Sequence, residues 1–309
     1  GDCSKMLAQG HGKKKMKLAA KKDNVVAVTT PNLTFKVDRS TGLISEYAYN
    51  GKSMLGEGGT LKPNFWRAPT DNDMGAGLQK KFKVWKNPQM NLKNIDVKKD
   101  KKTNTVTIVT SFDMPEVQGQ MDITYLVFAN TGAVKVTEDF KATEGAKVSD
   151  MFRFGMLLQM PYSMEKSTYY GRGPIENYSD RKDCMRIAIY NDDADNQYFP
   201  YIRPQESGTK SDIRWWKQTD ATGLGLQVKS CAPFYASALH FDTEELDDGD
   251  EKEQRHSFDL KKSKFTNLFL DAAHMGVGGE NSWGAWPLEK YRVHYGNKTF
   301  NFVLIPQTK

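Results

Sequence analysis

Short runs of alternating apolar and polar residues dominate the chain from residue 25 onward. Their length and their content of Val, Ile, Thr, Tyr and Phe predict strands. Turn residues separate the first runs, with DRSTG at Asp38–Gly42 and a hairpin signal at Asn50–Gly51. The runs are Val25–Thr30, Leu33–Val37, Leu43–Tyr49, Thr105–Phe112, Gly119–Ala129, Val134–Ala142, Met151–Met160, Ser167–Gly171, Gly223–Lys229, Phe234–Phe241, Phe265–Leu270, Tyr291–Tyr295 and Thr299–Ile305.

Helical periodicity is scarce. Leu78, Phe82 and Trp85 fall at i, i+4 and i+7, which predicts a short helix over Leu78–Trp85 that packs on a sheet. About a dozen strands with few helices predict an all-β fold, a large antiparallel sandwich. We expect one such domain over residues 25–309.

A second short helix is predicted near residue 243. Thr243 is a candidate N-cap, and Glu244 and Glu245 would then lie in the first turn, where the helix dipole favours negative charge. The charged run Asp247–Glu253 that follows is interpreted as a solvated surface, because runs of charge seldom enter a core.

The first 24 residues differ in composition from the rest. They hold a lysine cluster with few apolar residues: Lys13–Lys15, Lys17, Lys21 and Lys22. Such a cluster can neutralise phosphate, but no aromatic or arginine side chain interleaves the lysines, as base stacking requires. We therefore interpret residues 1–24 as a linker or the end of an excised piece, since Gly1 is not a natural start. We expect no nucleic-acid partner.

Composition narrows the class of protein further. The chain has 309 residues, of which 38% are hydrophobic, enough for a large core. No run of about 18 apolar residues is present, so we expect no membrane span. Cys3, Cys184 and Cys231 form neither a zinc spacing nor a disulfide framework. A single Cys184–Cys231 bridge stays open, as does the choice between a cytoplasmic and a periplasmic location.

The stretch at residues 62–77, KPNFWRAPTDNDMGAG, is rich in polar groups. Pro63 and Pro69 disfavour a helix here. The stretch combines donors and acceptors suited to a polyol ligand, namely Arg67, Asp71, Asn72 and Asp73. The alternative is a hydrogen-bonded turn in which the arginine pairs with one of the aspartates. The stretch lacks the ligand spacing and the terminal Glu of a calcium loop.

Two further stretches carry carboxylates. Residues 169–183, YYGRGPIENYSDRKD, place two carboxylates near two guanidiniums: Glu176, Asp180, Arg172 and Arg181. No βαβ context follows the G-x-G, so a dinucleotide site is excluded, and a structural ion-pair network is the alternative to a binding site. In residues 201–216, YIRPQESGTKSDIRWW, the loop carboxylate of Glu206 suits a general acid, a general base or a hydroxyl acceptor.

The stretches at residues 62–77 and 169–183 are both rich in turn residues, and their positive and negative charges match each other in sign. Buried charges persist only when they are paired and hydrogen-bonded. We therefore expect five residues to lie close together in space although about 110 residues of sequence separate the outermost. They are Arg67, Asp73, Glu176, Asp180 and Arg181.

The fourth stretch, residues 271–287, reads DAAHMGVGGENSWGAWP and follows a strand-like run. Gly276, Gly278 and Gly279 permit a tight, projecting loop. Trp283 and Trp286 follow, and an exposed indole would offer a flat apolar face to the C–H groups of a sugar. The alternative is that both tryptophans are core residues beneath the loop.

Four motifs occur in order along these stretches: FWRAPTDND, GRGPIENYSDRK, RPQESGTKSDIRW and HMGVGGENSW. With them the chain resembles, from roughly Asn24 to its C-terminus, the C-terminal domain of the beta-galactosidases of glycoside hydrolase family 2, also called the small chain or domain 5. The resemblance implies a galactose mutarotase-like β supersandwich of about eighteen strands, packed against a catalytic barrel. Departures are small: Ser207 stands where the family usually has Asn, and Met74 replaces other apolar residues.

The resemblance also implies roles. The tryptophan of the GGENSW motif, Trp283, would reach into the active site of the barrel and stack on the sugar. The two glutamates of retaining hydrolysis would lie in the barrel, so this chain alone is expected to be inactive. The expected partners are a galactoside sugar and the other domains of the same enzyme, with homo-oligomerisation left open. No cofactor is expected in this chain, while Mg²⁺ and Na⁺ stay open for the whole enzyme.

We predict a substrate-binding set drawn from all four stretches: Arg67, Asp71, Asn72, Asp73, Glu176, Glu206, His274 and Trp283. Two other functions stay open. An aldose 1-epimerase would use His274 and Glu206 as acid and base around the anomeric centre. A stand-alone carbohydrate-binding module would line a concave pocket with Arg67, Asp71, Asn72, Asp73, Glu176 and Glu206.

Overall fold

The computed structural model describes residues 10, 12–20, 24–278, 280–281 and 283–308. Within these residues the fold is all-β with antiparallel sheets, as predicted, and no helix exceeds five residues. The strands are β1 Lys17–Ala19, β2 Val25–Thr29, β3 Leu33–Asp38, β4 Ile44–Tyr49, β5 Lys52–Ser53, β6 Leu61–Asn64, β7 Asn91–Asp100, β8 Thr105–Met114, β9 Gly119–Phe128, β10 Val134–Ala142, β11 Arg153–Pro161, β12 Lys166–Gly173, β13 Arg186–Asp193, β14 Lys210–Thr219, β15 Gly225–Leu239, β16 Phe265–His274 and β17 Lys298–Gln307.

A small sheet, ordered β1-β2-β3-β4-β5, covers part of a larger one. Its strands alternate between buried and partly exposed residues, because one face turns to the core and the other to solvent. The Phe35 ring lies 5.7 Å from the Tyr125 ring of β9, and the Tyr47 hydroxyl donates to the Gly132 carbonyl at 2.7 Å. These contacts join the two layers of the sandwich.

The large sheet has a branch at β15. Its main path runs β13-β12-β14-β15-β17-β10-β9-β8-β7. The first part of β15, Gly225–Lys229, pairs with β17, whereas Tyr235–Leu239 pairs with β16. Beyond the branch β16 pairs with β11, and β11 pairs with β6. The two runs predicted as separate strands, Gly223–Lys229 and Phe234–Phe241, therefore belong to one continuous strand.

The N-terminal segment is part of the sheet, so the prediction that residues 1–24 form a linker is wrong for its described portion. Strand β1 pairs with β2, with Leu18 opposite Val28. The Lys14 backbone N–H donates to the Asn130 side chain at 3.0 Å, and its carbonyl accepts from Asn104 at 3.0 Å. Lys21 and Lys22 lie outside the described residues.

The helices are short, with bounds Asp71–Gly75, Leu78–Lys81, Ala194–Gln197 and Thr243–Leu246, and the 3₁₀ turns are Pro115–Val117, Lys83–Trp85, Ser257–Asp259 and Glu289–Tyr291. The helix predicted over Leu78–Trp85 is confirmed as an α-turn followed by a 3₁₀ turn. The helix at Asp71–Gly75 corrects the expectation from Pro69, because Thr70 and Asp73 form a capping box just after that proline.

Three other predictions need correction. Thr243 is the first helical residue rather than the N-cap, which is Asp242, and Tyr291–Tyr295 is not a strand. The run Asp247–Glu253 is not wholly solvated, because the side chains of Asp247 and Asp248 are buried in ion pairs with Lys86, Arg203 and Arg255. Cys184 is free and exposed, so no Cys184–Cys231 bridge forms.

Five strands, each at the edge of a sheet, escaped the sequence pattern: β1, β5, β6, β7 and β13. The longest of these edge strands, β7, carries the sequence NLKNIDVKKD, in which polar residues occupy both faces. Charged edges of this kind protect a sheet from pairing with other chains, and they hide the apolar alternation that predicts a strand. In the described part of the chain, no helix is long and apolar enough to cross a membrane.

Candidate functional site

The four polar stretches singled out in the sequence meet at one pocket. The pocket has a volume of about 430 Å³. Each stretch contributes lining residues: Thr70, Asp71 and Asn72 from the first, Glu176, Tyr178 and Arg181 from the second, Tyr201, Gln205 and Glu206 from the third, and Val277, Gly278 and Asn281 from the fourth. Pockets of this size hold small-molecule ligands, and the many polar groups in the lining could bind the hydroxyls of a sugar.

Beneath the pocket a buried ion pair joins the first and fourth stretches. Arg67 binds Asp73 through two hydrogen bonds, with Nε–Oδ2 at 3.0 Å and Nη2–Oδ1 at 2.8 Å. The same guanidinium donates to the carbonyls of Met275 at 2.7 Å and Gly276 at 3.0 Å. Burial lowers the pKa of Arg67 and Asp73 raises it, and the net pKa lies above the ordinary value. The pair fixes where the chain leaves β16 and enters the loop that carries Trp283 and Trp286, called here the tryptophan loop.

Asp180 and Asn72 hold the next part of that loop. The Asp180 carboxylate accepts from the backbone N–H groups of Val277 at 3.0 Å and Gly278 at 2.8 Å. The Asn72 amide donates to the Val277 carbonyl at 3.2 Å, and its oxygen accepts from the Gly284 N–H at 3.3 Å. The loop is therefore bound from two sides by side chains of the first and second stretches.

Glycine is required where this loop touches its supports. A Cβ at Gly276 would lie 2.4 Å from an Asp180 oxygen. Gly278 has φ +75°, and a Cβ there would lie 2.4 Å from the Asn72 amide nitrogen. At these two positions the structure supports the prediction that the loop depends on glycine. Gly279 lies outside the described residues.

The two tryptophans behind the loop have different environments. The Trp283 indole is 86% exposed, and its backbone N–H donates to the Asn281 side chain at 3.0 Å. Trp286 packs edge-on against Phe82 at 5.7 Å, with the Arg292 guanidinium 4.7 Å from its ring centroid. The interpretation of Trp283 as a core residue is therefore excluded, and Trp286 anchors the base of the loop.

Glu176 closes one side of the pocket with Arg181 and Tyr201. Its Oε1 accepts from the Arg181 guanidinium at 2.6 Å and from the Tyr201 hydroxyl. Its Oε2 accepts from the Gly208 backbone N–H at 2.8 Å. Burial, followed by the hydrogen bond to Glu176, raises the pKa of Tyr201. The five residues expected to cluster lie on either side of residues 275–278, so that prediction is confirmed.

Glu206 lies at the pocket floor, above a second buried ion pair. Its Oε1 accepts from the Thr209 hydroxyl at 2.7 Å and from the Tyr178 hydroxyl at 3.1 Å. Its Oε2 is 3.5 Å from Arg153 Nη1, and Arg153 also binds Asp271 with Nη2–Oδ2 at 2.6 Å. Burial raises the pKa of Asp271 to about 6, although Arg153 opposes the shift.

Asp71 forms the rim on the side of the first helix. Its carboxylate accepts from Arg203 Nε and from Gln205 Nε2, each at 3.0 Å. Burial raises the pKa of Asp71, but the hydrogen bonds from Gln205 and Arg203 outweigh burial, so the pKa lies below its ordinary value. The carboxylate is therefore charged and nearly half exposed at neutral pH.

His274 does not reach the pocket. Its side chain has no exposed surface, and neither ring nitrogen has a hydrogen-bond partner among the residues that the structure describes. Burial, followed by the charges of Arg153 and Arg67, lowers its pKa well below the ordinary value, so the ring is neutral. Tyr178 packs edge-on against the ring and covers it, so the contact of His274 with a sugar stays a prediction that this position does not support.

The predicted substrate-binding set thus divides by accessibility. Asp71, Asn72, Glu176 and Glu206 line the pocket, and Trp283 projects into solvent beside it. Arg67 and Asp73 are buried and do not line the pocket. The roles of all these residues in sugar binding stay predictions. Among the described residues no group of three or more His, Cys, Asp or Glu side chains is arranged to hold a metal ion.

Several site residues escaped the sequence analysis. Arg153 was hidden in an apolar run, and its partner Asp271 lies 118 residues away. Arg203 had a local signal, because it opens the RPQES motif, and it ties the Pro69 carbonyl to Asp71. Ser207, the departure from the family pattern, is buried and its hydroxyl accepts from the Phe199 N–H at 3.2 Å, so this loop keeps a hydrogen bond.

Comparisons with known proteins agree on one family. The family model described as "Beta galactosidase small chain" matches residues 29–304. The beta-galactosidase of Priestia megaterium is 30% identical over 286 residues, which is 92% of this chain and 27% of that protein. The beta-galactosidase of Lactobacillus delbrueckii subsp. bulgaricus is 35% identical over 222 residues, covering 71% of this chain and 21% of that protein. The chain spans about a quarter of the length of these relatives.

Among solved structures, the chain aligns with a galactose mutarotase related enzyme from Lactobacillus acidophilus. The TM-score is 0.44 and the identity 8%, over 95% of this chain and 98% of that one. A similar alignment is found with an aldose 1-epimerase from Escherichia coli, at a TM-score of 0.45 and 9% identity over 96% of this chain and all of that one. At these values the similarity carries no conclusion about function.

Proposed function

Because the chain belongs to the beta-galactosidase small-chain family, we propose that it is the domain of a retaining beta-galactosidase that completes the sugar site of the enzyme. In this proposal Trp283 forms an apolar wall for the galactosyl unit. The pocket beside it supplies polar contacts through Asp71 and Asn72. The chain also supports the packing of the other domains.

The observation that supports the proposal most directly is the exposure of Trp283. Tryptophan is highly buried on average, because exposing the apolar surface of an indole to water is unfavourable. Here the indole is 86% exposed while Asn72, Asp180 and Asn281 hold the backbone around it. An exposed indole on a backbone held by these hydrogen bonds suits stacking on a sugar, because less of the loop has to be ordered when the ligand binds.

The catalytic carboxylates of this proposal lie outside the chain. Retaining hydrolysis needs two carboxyl groups about 5–5.5 Å apart, one of them free to attack the anomeric carbon. Glu176 accepts hydrogen bonds from Arg181, Tyr201 and Gly208, and Glu206 is held by Tyr178 and Thr209. Both act as hydrogen-bond acceptors within the fold, so we expect no turnover of an aryl beta-galactoside by the purified chain. Turnover by the purified chain that is lost in Glu176→Gln or Glu206→Gln would contradict the proposal that the catalytic carboxylates lie outside this chain.

Kinetics of the full-length enzyme test the role of Trp283. Trp283→Ala should weaken inhibition by galactose about five- to 150-fold, the equivalent of about 1–3 kcal/mol for a lost aromatic contact. Trp215→Ala is a matched control, because Trp215 lies on β14, is partly exposed and does not line the pocket. Equal inhibition constants in the two variants would refute the role of Trp283 as a binding wall.

A second candidate is a carbohydrate-binding module that acts without other domains. The grouping of Asp71, Asn72, Glu176 and Glu206 around one pocket favours it. Equilibrium binding of galactose to the purified chain distinguishes the two functions, because a site completed by another domain should bind the free sugar weakly. The epimerase alternative loses its proposed acid or base, since His274 is neutral and buried.

A further inference from the structure

A second pocket lies beside the first, and the two share a wall formed by Glu176, Arg181 and Tyr201. The second pocket has a volume of about 610 Å³, within the range of small-molecule sites. Polar residues line its base and apolar residues its mouth; among them are Asp192, Gln197, Lys210, Ile175, Met185 and Phe199. Lys210 and Ile175 belong to stretches discussed above, whereas Met185, Asp192, Gln197 and Phe199 lie outside all four stretches.

Lys210 is the unusual member of the lining. Its side chain is 1% exposed, and its Nζ makes no hydrogen bond to any described residue. The nearest carboxylate oxygen, Asp192 Oδ2, is 3.8 Å away, and the Tyr169 ring centroid is 5.9 Å away. An irregularity in β14 between Lys210 and Ile213 sets this position, since a bulge re-aims the side chain next to it.

A buried ammonium with three N–H donors and no acceptor within hydrogen-bond range is unstable on its own. The gap between Nζ and the Asp192 carboxylate is too long for a direct hydrogen bond. It is wide enough for one oxygen to lie about 2.8 Å from both atoms. A hydroxyl suits the gap, because it accepts from the ammonium and donates to the carboxylate.

The charges around the gap favour a neutral ligand. Lys210 is balanced by Asp192, and Glu176 is balanced by Arg181. Burial lowers the pKa of Lys210 to about 8, and burial raises the pKa of Asp192. Both shifts favour the neutral form of the group, so the pocket does not stabilise extra charge. An added carboxylate or ammonium would unbalance this site, whereas a hydroxyl would not.

The mouth of the pocket offers an apolar surface for the rest of the ligand. Phe199 and Tyr201 have ring centroids 4.6 Å apart, and Phe199 and Ile175 are more than half exposed. Aromatic and aliphatic faces of this kind pack on the C–H groups of a pyranose ring.

We propose that this second pocket binds a neutral, polyhydroxylated ring, a sugar unit whose hydroxyl bridges Lys210 and Asp192. The site is separate from the Trp283 wall, and the proposal holds whether or not the chain completes a galactosidase. Ligand in this pocket would touch the same Glu176–Arg181–Tyr201 wall that closes the first pocket.

Sugar binding in the second pocket can be measured through the chemical modification of Cys184. This residue is a free, exposed cysteine on the lining of the second pocket and lies outside the first. The rate at which iodoacetamide modifies it, followed by mass spectrometry of the Cys184 peptide, should fall on titration with D-glucose or D-galactose. In Lys210→Met the apparent dissociation constant for the sugar should rise about tenfold or more, the scale of a lost charged hydrogen bond.

Controls separate this site from the first. Lys217→Met, on the same strand but outside the pocket, and Trp283→Ala should each leave the protection of Cys184 unchanged. If Lys210→Met does not fold, Asp192→Ala removes the other side of the bridge from a partly exposed position and should weaken protection similarly. A cavity filled only by water would give no protection by either sugar and would overturn the proposal. Tighter protection by D-glucuronate than by D-glucose would show a carboxylate site and would overturn it as well.

Discussion

Arg67 and Asp73 form a two-hydrogen-bond ion pair in which neither side chain is more than 2% exposed. The two partners are six residues apart in sequence, yet the pair connects distant parts of the fold. The arginine binds the carbonyls of residues 275 and 276, and the aspartate also accepts from the Thr70 N–H at 2.9 Å. It therefore joins the start of the first helix to the tryptophan loop.

Removal of the arginine should be costly. Arg67→Met leaves the Asp73 carboxylate buried without its cation, which should lower the free energy of unfolding by about 3–5 kcal/mol. Arg172→Met is the matched control, because the Arg172–Asp212 pair is partly exposed and should contribute about 1 kcal/mol or less. Urea melts of both variants measure the difference. A loss below about 1 kcal/mol in Arg67→Met would show that the pair is not needed to hold the loop.

Close backbone packing between the first helix and the tryptophan loop gives a second prediction. Gly284 has φ +104°, and a Cβ there would lie 2.3 Å from the Gly75 carbonyl carbon. Gly284→Ala should therefore cost about 2 kcal/mol or more, since it adds a backbone clash to the strain of a positive φ. Gly223→Ala controls for the strain alone, because Gly223 has φ +88° and nothing within 4 Å of an added Cβ. Equal losses in denaturant melts would mean that the loop can move away from the helix.

The sequence predicted the parts of the fold with clean local patterns. Val134–Ala142 alternates between buried and exposed residues along its length, and the strand forms with the predicted bounds. The strand β7 was missed, because its sequence NLKNIDVKKD places polar residues on both faces and alternates poorly. The location of the pocket followed from the four motifs, whereas the Arg153–Asp271 pair did not, since no local signal links residues on different strands.

His274 shows why a motif alone could not assign each role. It stands next to the glycine-rich loop, so the sequence placed it beside the sugar. In the fold it is the last residue of β16 and lies among Arg67, Arg153, Asp271 and Tyr178. Direction of a side chain at a strand end depends on the packing around it, which the motif does not encode.

The burial of His274 predicts a pH dependence of stability. Its folded pKa lies well below the unfolded value of about 6.5, so below that pH the unfolded chain binds more protons and stability falls. The loss should reach about 1.4 kcal/mol for a single proton between about pH 7.5 and pH 5.5. His274→Phe fills the same space without titrating and should not show this loss.

The comparison of wild type with His274→Phe cancels the contribution of Asp271, the other buried group that titrates nearby. Asp271 has a folded pKa of about 6, above its unfolded value, so it contributes stability at low pH that is lost as the pH rises toward 6 and above. Because Asp271 is present in both proteins, the difference between wild type and His274→Phe in urea melts at the two pH values isolates His274. An identical pH dependence would mean that the histidine is protonated or hydrated in the fold.

The two tryptophans of the loop give the last prediction. Trp283 is 86% exposed, so Trp283→Ala should change the free energy of unfolding of the chain by less than about 1 kcal/mol. Trp286 packs on Phe82 and lies under the Lys81 and Arg292 side chains, so Trp286→Ala should cost more, about 2–3 kcal/mol. Denaturant melts of the two variants measure both values. A loss of about 3 kcal/mol or more in Trp283→Ala would mean that its indole packs into the core in solution, and the binding wall proposed for it would then be wrong.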